Sequence, residues 1–379
     1  MTITATIRQE IELRGLSTRQ IARVKRRLVY KNPAWAPVGR GRRGRSDVPR
    51  TLPLYREASG IVVVPRGCWP DLLRALEEVA GQIEYVDETI RTPLGRAVTL
   101  TGELREYQIE ALDGLLQRRC AMLVSPTGSG KTVMLAGIVA RLQLSALVLV
   151  HTLELLRQAR TELAKWLGVE VGVIGGGQHD VRDVTVATLQ TLVRRDLSDL
   201  APRFGVVLVD ETHHAPARSC FRVLAELPGA HRYGVTATPW RKDGLEALMH
   251  AAVGPVVHEV PQQALEVAGA FVRPKIVSVP ADFTYQFADD WPAMITALTN
   301  DADRNRLLCT QVRKRVGPTT RGLVLTDRVA HVRQLGDDLR DMNPVVLHGD
   351  LSPSARKTAM EQIHAGATLT IATYSLLGE

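Results

Sequence analysis

Apolar positions along this chain fall into two periods. Short runs of Val, Leu and Ile at Cys120–Val124, Ala146–Val150, 169–174, 184–187, 206–209 and 233–238 alternate with stretches whose apolar residues recur at helical spacing, as in 104–117 and 133–142. That alternation predicts an α/β fold with a mainly parallel sheet covered by helices. Ligands of such sheets collect outside the carboxyl ends of the strands. Further upstream, 17–30 opens on capping residues and puts Ile21, Val24 and Leu28 on one face, predicting an amphipathic helix whose other faces are basic. Runs at 52–55 and 60–65, with a helix over 69–79, read as a small α/β unit. Residues 33–50 are rich in Pro, Gly and Arg and read as a mobile basic loop.

A chain of 379 residues has room for two or three domains. No apolar run approaches a membrane span and the N-terminus lacks a signal-peptide layout, so an intracellular protein is expected. The four cysteines, Cys68, Cys120, Cys220 and Cys309, have no paired spacing, so neither zinc nor a disulfide framework is expected. Net charge changes the picture more. Residues 1–50 carry thirteen Lys or Arg against Glu10, Glu12 and Asp47, or +10, whereas the whole chain carries +8. A basic end of this kind suits a nucleic-acid partner, with a solvated basic tail as the plainer alternative.

The chemistry centres on Ser125-Pro-Thr-Gly-Ser-Gly-Lys-Thr132, set between an apolar strand and a helix. Glycines let successive backbone N–H groups turn toward a phosphate, and the helix that follows points its positive end at the same anion. Thr127, Gly128, Ser129 and Gly130 form the cradle. Lys131 reaches the β- and γ-phosphates, and the Thr132 hydroxyl holds Mg²⁺. The strict pattern asks for Gly at 125, where this chain has Ser. Arg105, Tyr107 and Gln108 open the preceding helix, and the Gln108 amide is suited to reading adenine. Asp210, just past a buried strand, is placed to hold Mg²⁺, and Glu211 to act as general base. His213 and His214 follow without further ligands at zinc spacing. Thr236 and Thr238 end another strand and could relay the nucleotide state.

Together these residues resemble the superfamily 2 helicases and translocases of DExH type, in particular the XPB-like and phage repair-helicase branch. The resemblance runs in order through 104–108, 125–132, 149–158, 186–192, Asp210-Glu211-Thr212-His213-His214, 234–239, 322–326, 347–351 and 371–379. It implies tandem RecA-like lobes, the second incomplete, preceded by a small basic α/β accessory domain. The expected boundaries are 1–95 for the accessory domain, 96–253 for the ATP-binding lobe, 254–300 for an inter-lobe linker and 301–379 for a partial second lobe. ATP and Mg²⁺ are the implied cofactors, with catalytic roles for Lys131, Asp210 and Glu211 and coupling roles for His213, Thr236 and Thr238. Nucleic-acid contacts are implied for His151, Thr152, Thr188, Gln190, Thr326, His348, Gly349 and Thr373. The implied partner is single-stranded or forked DNA, with RNA less favoured, in a bacterial or phage-infected cytoplasm.

The family's last motif, the source of its arginine fingers, does not occur up to Glu379, so a truncated chain is expected. A restriction-system motor subunit and an ATP- and DNA-binding fragment without turnover are the alternatives.

Overall fold

The computed structural model describes residues 2–33, 35, 49–77, 82–212, 217–238, 240 and 244–377. Its chain divides into two units, residues 1–273 and 274–379. The first unit begins with β1 (Ile3–Ile7), β2 (Glu10–Arg14), α1 (Thr18–Arg27), β3 (Val29–Lys31), β4 (Thr51–Pro53), β5 (Arg56–Ala58), β6 (Ile61–Pro65), α2 (Trp69–Glu77) and β7 (Ile83–Asp87). Five of these strands form a sheet in the order β5-β6-β2-β1-β7, in which only β1 and β7 run parallel. Ser17 starts α1 through a reciprocal cap with Gln20. That helix stops at Arg27, short of the expected Tyr30, because Val29 and Tyr30 pair with β4 instead. Most of the basic 33–50 loop lies outside the described residues.

Next come α3 (Glu106–Leu116), β8 (Cys120–Val124), α4 (Lys131–Leu142), β9 (Ala146–Val150), α5 (Leu153–Leu167), β10 (Gly172–Gly175), β11 (Gln178–Asp180), β12 (Val184–Thr188), α6 (Leu189–Leu192) and β13 (Val206–Asp210). They are followed by α7 (Ala217–Leu224), β14 (His231–Thr236), α8 (Glu246–Ala252), β15 (Val256–Glu259) and α9 (Gln262–Val267). The strands build an eight-stranded sheet in the order β11-β10-β12-β9-β13-β14-β8-β15, parallel apart from β11. β9, β12 and β13 are buried along their whole length, which is why they read as unbroken apolar runs.

The two sheets share a seam. Apolar residues of α7 and α8 pack against the core of the five-stranded sheet, and a side chain at Gly67 would collide with the His250 and Ala251 carbonyl oxygens. Two buried arginines stitch this seam through main-chain carbonyls: Arg66 donates to Gly229 and Ala230, and Arg232, in the middle of β14, donates to Gln9, Leu227 and Ala252.

The stretch expected as a linker, 254–300, is built differently. β15 pairs with β8, and Val260 and Leu265 are buried in the core of the first unit, so the sheet continues past residue 253. The second unit then opens with α10 (Trp291–Asn300) and α11 (Ala302–Arg315), and continues through β16 (Gly322–Thr326), α12 (Val329–Asp338), β17 (Val345–Leu347), α13 (Pro353–His364), β18 (Leu369–Thr373) and α14 (Tyr374–Leu377). Its three strands are parallel, in the order β16-β18-β17, and Leu323 and Leu325 on the edge strand β16 are exposed. Between the units' helices, 277–287 alternates Val, Val, Ala, Phe, Tyr, Phe with Ser, Pro, Asp, Thr, Gln, yet it joins no ladder among the described residues. Ile276, Val277, Val279, Tyr285 and Phe287 are exposed there. None of the described helices is long and apolar enough to cross a membrane.

Candidate functional site

Parallel order puts the carboxyl ends of β8, β14 and β13 side by side, and the glycine loop, Thr236 and Asp210 leave from those three ends. The loop is tied to its neighbour where the Ser125 N–H donates to the Thr236 carbonyl at 2.8 Å. Gly128 and Gly130 take φ of +84° and +79°, conformations that glycine adopts without a Cβ penalty. Gly130 caps α4, so Lys131 and Thr132 occupy its first turn. Thr127 and Gly128 are exposed, and Ser129 is buried. Ser125 Oγ and Ser129 Oγ are buried without a partner among the described residues. Two orphaned hydroxyls at the start of α4 fit an anion-binding loop.

Lys131 Nζ lies 3.0 Å from Glu211 Oε1, joining the loop to the end of β13. Glu211 has a φ of +48°, which costs a non-glycine residue about 1 kcal/mol or more. Its backbone N–H donates to Asp210 Oδ1 at 3.0 Å, and Ala237 N–H donates to its Oε2 at 3.4 Å. Thr236 Oγ1 donates to the Thr238 carbonyl at 2.8 Å and accepts from the Thr238 N–H at 3.4 Å. Thr236, Ala237 and Glu211 thus meet at one corner. His213 lies outside the described residues.

Asp210 is buried, and burial first, then the Glu211 carboxylate, push its carboxyl up to about 6 against the pull of Lys131. A carboxyl held above its unfolded value favours the protonated form, so the unliganded chain loses stability as pH rises from about 4 to about 6. Asp210→Asn is expected to remove that slope and to stabilise the unliganded chain near neutrality by up to about 3 kcal/mol. Thermal unfolding of both chains across this range would show it; parallel profiles would refute it. A divalent cation is the partner that would let this carboxylate stay charged, so the donor set fits Mg²⁺ beside a phosphate chain. Among the described residues no group of three or more His, Cys, Asp or Glu side chains gathers around a point, so Asp210 would share the cation with hydroxyl and phosphate oxygens.

Gln108 is placed differently from its expected role. It is 5% exposed, its Oε1 accepts from the Arg105 N–H at 2.9 Å, and its Nε2 donates to the Ser129 carbonyl at 2.8 Å. Tyr107 donates its hydroxyl to the same carbonyl at 2.9 Å, and exposed Arg105 reaches that hydroxyl at 3.4 Å. The start of α3 therefore clamps the glycine loop, leaving Gln108 one amide hydrogen and one lone pair for a base. This clamp is the feature that sequence reasoning missed, because its partner is a main-chain oxygen about twenty residues on.

The ends of β9 and β12 adjoin on the other side of β13. Thr152 caps α5 by accepting from the Leu155 N–H, and Gln190 Nε2 donates to the His151 carbonyl at 2.6 Å. Thr188 is buried against Thr191, at 2.7 Å between hydroxyl oxygens, so Gln190 is the exposed member of this pair. In the second unit, Thr326 and Thr373 are register partners at the ends of β16 and β18, and His348 and Gly349 follow β17. His348 Nδ1 and Thr373 Oγ1 are buried without partners among the described residues, while Gly349 is exposed. Thr326 Oγ1 is engaged with His331 Nδ1 at 2.7 Å.

Known proteins sharpen this geometry. Residues 101–241 match the family described as Type III restriction enzyme, res subunit. The DNA 3'-5' translocase XPB2 of Sulfurisphaera tokodaii is 34% identical over 171 residues, which are 45% of this chain and 38% of that protein. The DNA 3'-5' helicase XPB of Mycobacterium tuberculosis is 27% identical over 288 residues, 71% of this chain and 51% of that protein. This chain therefore spans about half or less of the length of these relatives. The crystal structure of T4 UvsW superposes with a TM-score of 0.53 at 15% identity, over 99% of this chain and 80% of that one, a likeness of fold. Residues 101–241 are thus homologous to the type III restriction res-subunit family, and the chain is a homologue of proteins named as XPB-like DNA helicases of superfamily 2.

Proposed function

We propose that the chain is an ATP-driven motor on DNA, moving along or unwinding it in the 3'-to-5' sense that its relatives' names carry, in bacterial or phage repair, recombination or replication. The observation that supports this reading best is the convergence of Lys131, Asp210 and Glu211 on a glycine loop with two orphaned buried hydroxyls. Bound ATP with Mg²⁺ would supply the phosphoanhydride whose cleavage drives movement. Within this site Lys131 neutralises phosphate charge, and Thr132 and Asp210 supply the oxygen ligands. Glu211 takes the proton of the attacking water. Release of Glu211 from Lys131 frees its carboxylate for that task, and the contact to Ala237 carries its position to Thr236 and Thr238. His151, Thr152, Thr188 and Gln190, with Thr326, His348, Gly349 and Thr373, are the proposed backbone contacts, which hold phosphate and sugar without reading sequence.

ATP hydrolysis with and without single-stranded or forked DNA tests this reading. DNA-stimulated turnover that falls about 10²- to 10⁴-fold in Glu211→Gln, with nucleotide binding kept, is expected. Nucleotide binding with no turnover under any condition would favour the non-hydrolysing fragment. The family's description also supports a second reading, the motor subunit of a restriction system, which predicts a nuclease partner encoded beside it.

A further inference from the structure

Behind the exposed end of β16 lies a chain of buried hydrogen bonds whose direction can be worked out. Asn305 is 2% exposed, and its Nδ2 donates to the Thr299 carbonyl at 2.8 Å. A carbonyl only accepts, so this bond fixes the orientation of the amide and leaves Oδ1 facing His331 Nε2 at 2.9 Å. Oδ1 also only accepts, so the Nε2 must carry hydrogen. His331 is 3% exposed, and burial first, then the Arg304 charge, hold its imidazole below the usual value against a weaker pull from Asp338. Neutral imidazole has one N–H. With that hydrogen on Nε2, Nδ1 is a bare acceptor, and the Thr326 hydroxyl must donate to it across 2.7 Å.

Thr326 therefore shows only oxygen lone pairs to a ligand at the strand end. The deoxyribose-phosphate backbone offers acceptors and no donors, whereas RNA carries a 2′-hydroxyl that can donate. We infer that Asn305 and His331 are positioning residues that set the hydrogen-bond polarity of Thr326, so that its contact with a DNA phosphate requires a proton to be taken up on His331. With both ring nitrogens protonated, Nδ1–H donates to Thr326 Oγ1, and the hydroxyl hydrogen turns out to the phosphate oxygen. The phosphate's own charge favours that uptake. Two charged groups act on such a change in opposite senses: Arg304, from α11, opposes it and Asp338, from α12, favours it, while Asp327 and Tyr374 share with the imidazole a cavity of about 280 Å³. β17 and β18 contribute the apolar side chains Val346 and Ile371 to the core beside it.

This inference rests on the reading that DNA meets the end of β16, and its test separates the two. Anisotropy titrations of single-stranded DNA with the full chain and with Thr326→Val, from about pH 8 to about pH 5.5, give the affinity ratio of parent to variant across the histidine range. That ratio is expected to rise about tenfold as pH falls, the worth of one hydrogen bond to a charged group. Taking the ratio cancels the titration of the other histidines. A measurable ratio that does not change with pH overturns the relay while leaving DNA binding intact. Absence of DNA binding by the parent at every pH overturns the DNA reading and the phosphate contact with it. Independently, ¹⁵N shifts of the His331 ring in the free chain must show the Nε2–H tautomer at neutral pH, and an Nδ1–H tautomer refutes the assignment. Asn305→Leu frees the tautomer and is expected to flatten the pH dependence of the ratio, an effect that loss of packing alone would not produce.

Discussion

Lys131→Ala is expected to lower ATP turnover by about 10²-fold or more, the cost of removing one preorganised positive group from a charged transition state. The variant loses the phosphate contact and the 3.0 Å partner of Glu211 together. Its fold should be kept, since Lys131 lies in the first turn of α4, where the helix is closed by Gly130 and by the apolar residues from Met134 onward. The measurement is single-turnover hydrolysis at saturating DNA, with circular dichroism as the control. Turnover within about threefold of the parent would remove Lys131 from the chemistry and, with it, the motor reading.

The second large effect concerns stability. Arg232 sits at 2% exposure in the interior of β14 and donates to three main-chain carbonyls, Gln9, Leu227 and Ala252, with no carboxylate at hydrogen-bond distance among the described residues. Burial and the nearby Arg66 charge pull its guanidinium down to about 9, which still leaves it charged at neutral pH. Arg232→Met keeps the apolar stem and strands those carbonyls. Each orphaned acceptor costs about 1–3 kcal/mol, offset in part by relief of the buried charge, so a net loss of about 3 kcal/mol is expected. Denaturant unfolding of the parent, of Arg232→Met and of the exposed control Arg306→Ala would show it. A midpoint for the Met variant no different from that of the control would sink the carbonyl clamp.

The candidate nucleotide site was largely legible as a cluster because its signals are local. A strand, a glycine loop and a helix follow one another within 23 residues, and the carboxylates come directly after the apolar run 206–209. Parallel order then has to bring those strand ends together. The clamp on Ser129, the relay behind Thr326 and the arginine seam were not legible, for one shared reason. In each, a side chain of ordinary appearance meets a main-chain or buried partner that only the tertiary fold supplies, as when Arg66 reaches carbonyls more than 160 residues away. The linker expectation failed differently. The chain there continues as β15 and α9; Pro255 precedes β15 and Pro261 caps α9, where a missing N–H costs nothing.

The alternating segment 277–287 has the composition of a sheet strand without a ladder, and such a sequence pairs readily with any extended chain it meets. The segment and its flanks carry the remedies: Pro280 interrupts the run of donors, Asp282 puts a charge in its middle, and Arg273, Lys275, Asp289 and Asp290 bracket it. Residues of these kinds at these places are those expected of gatekeepers. Removing the proline or the charges is therefore expected to be felt first as turbidity and only later as lost activity.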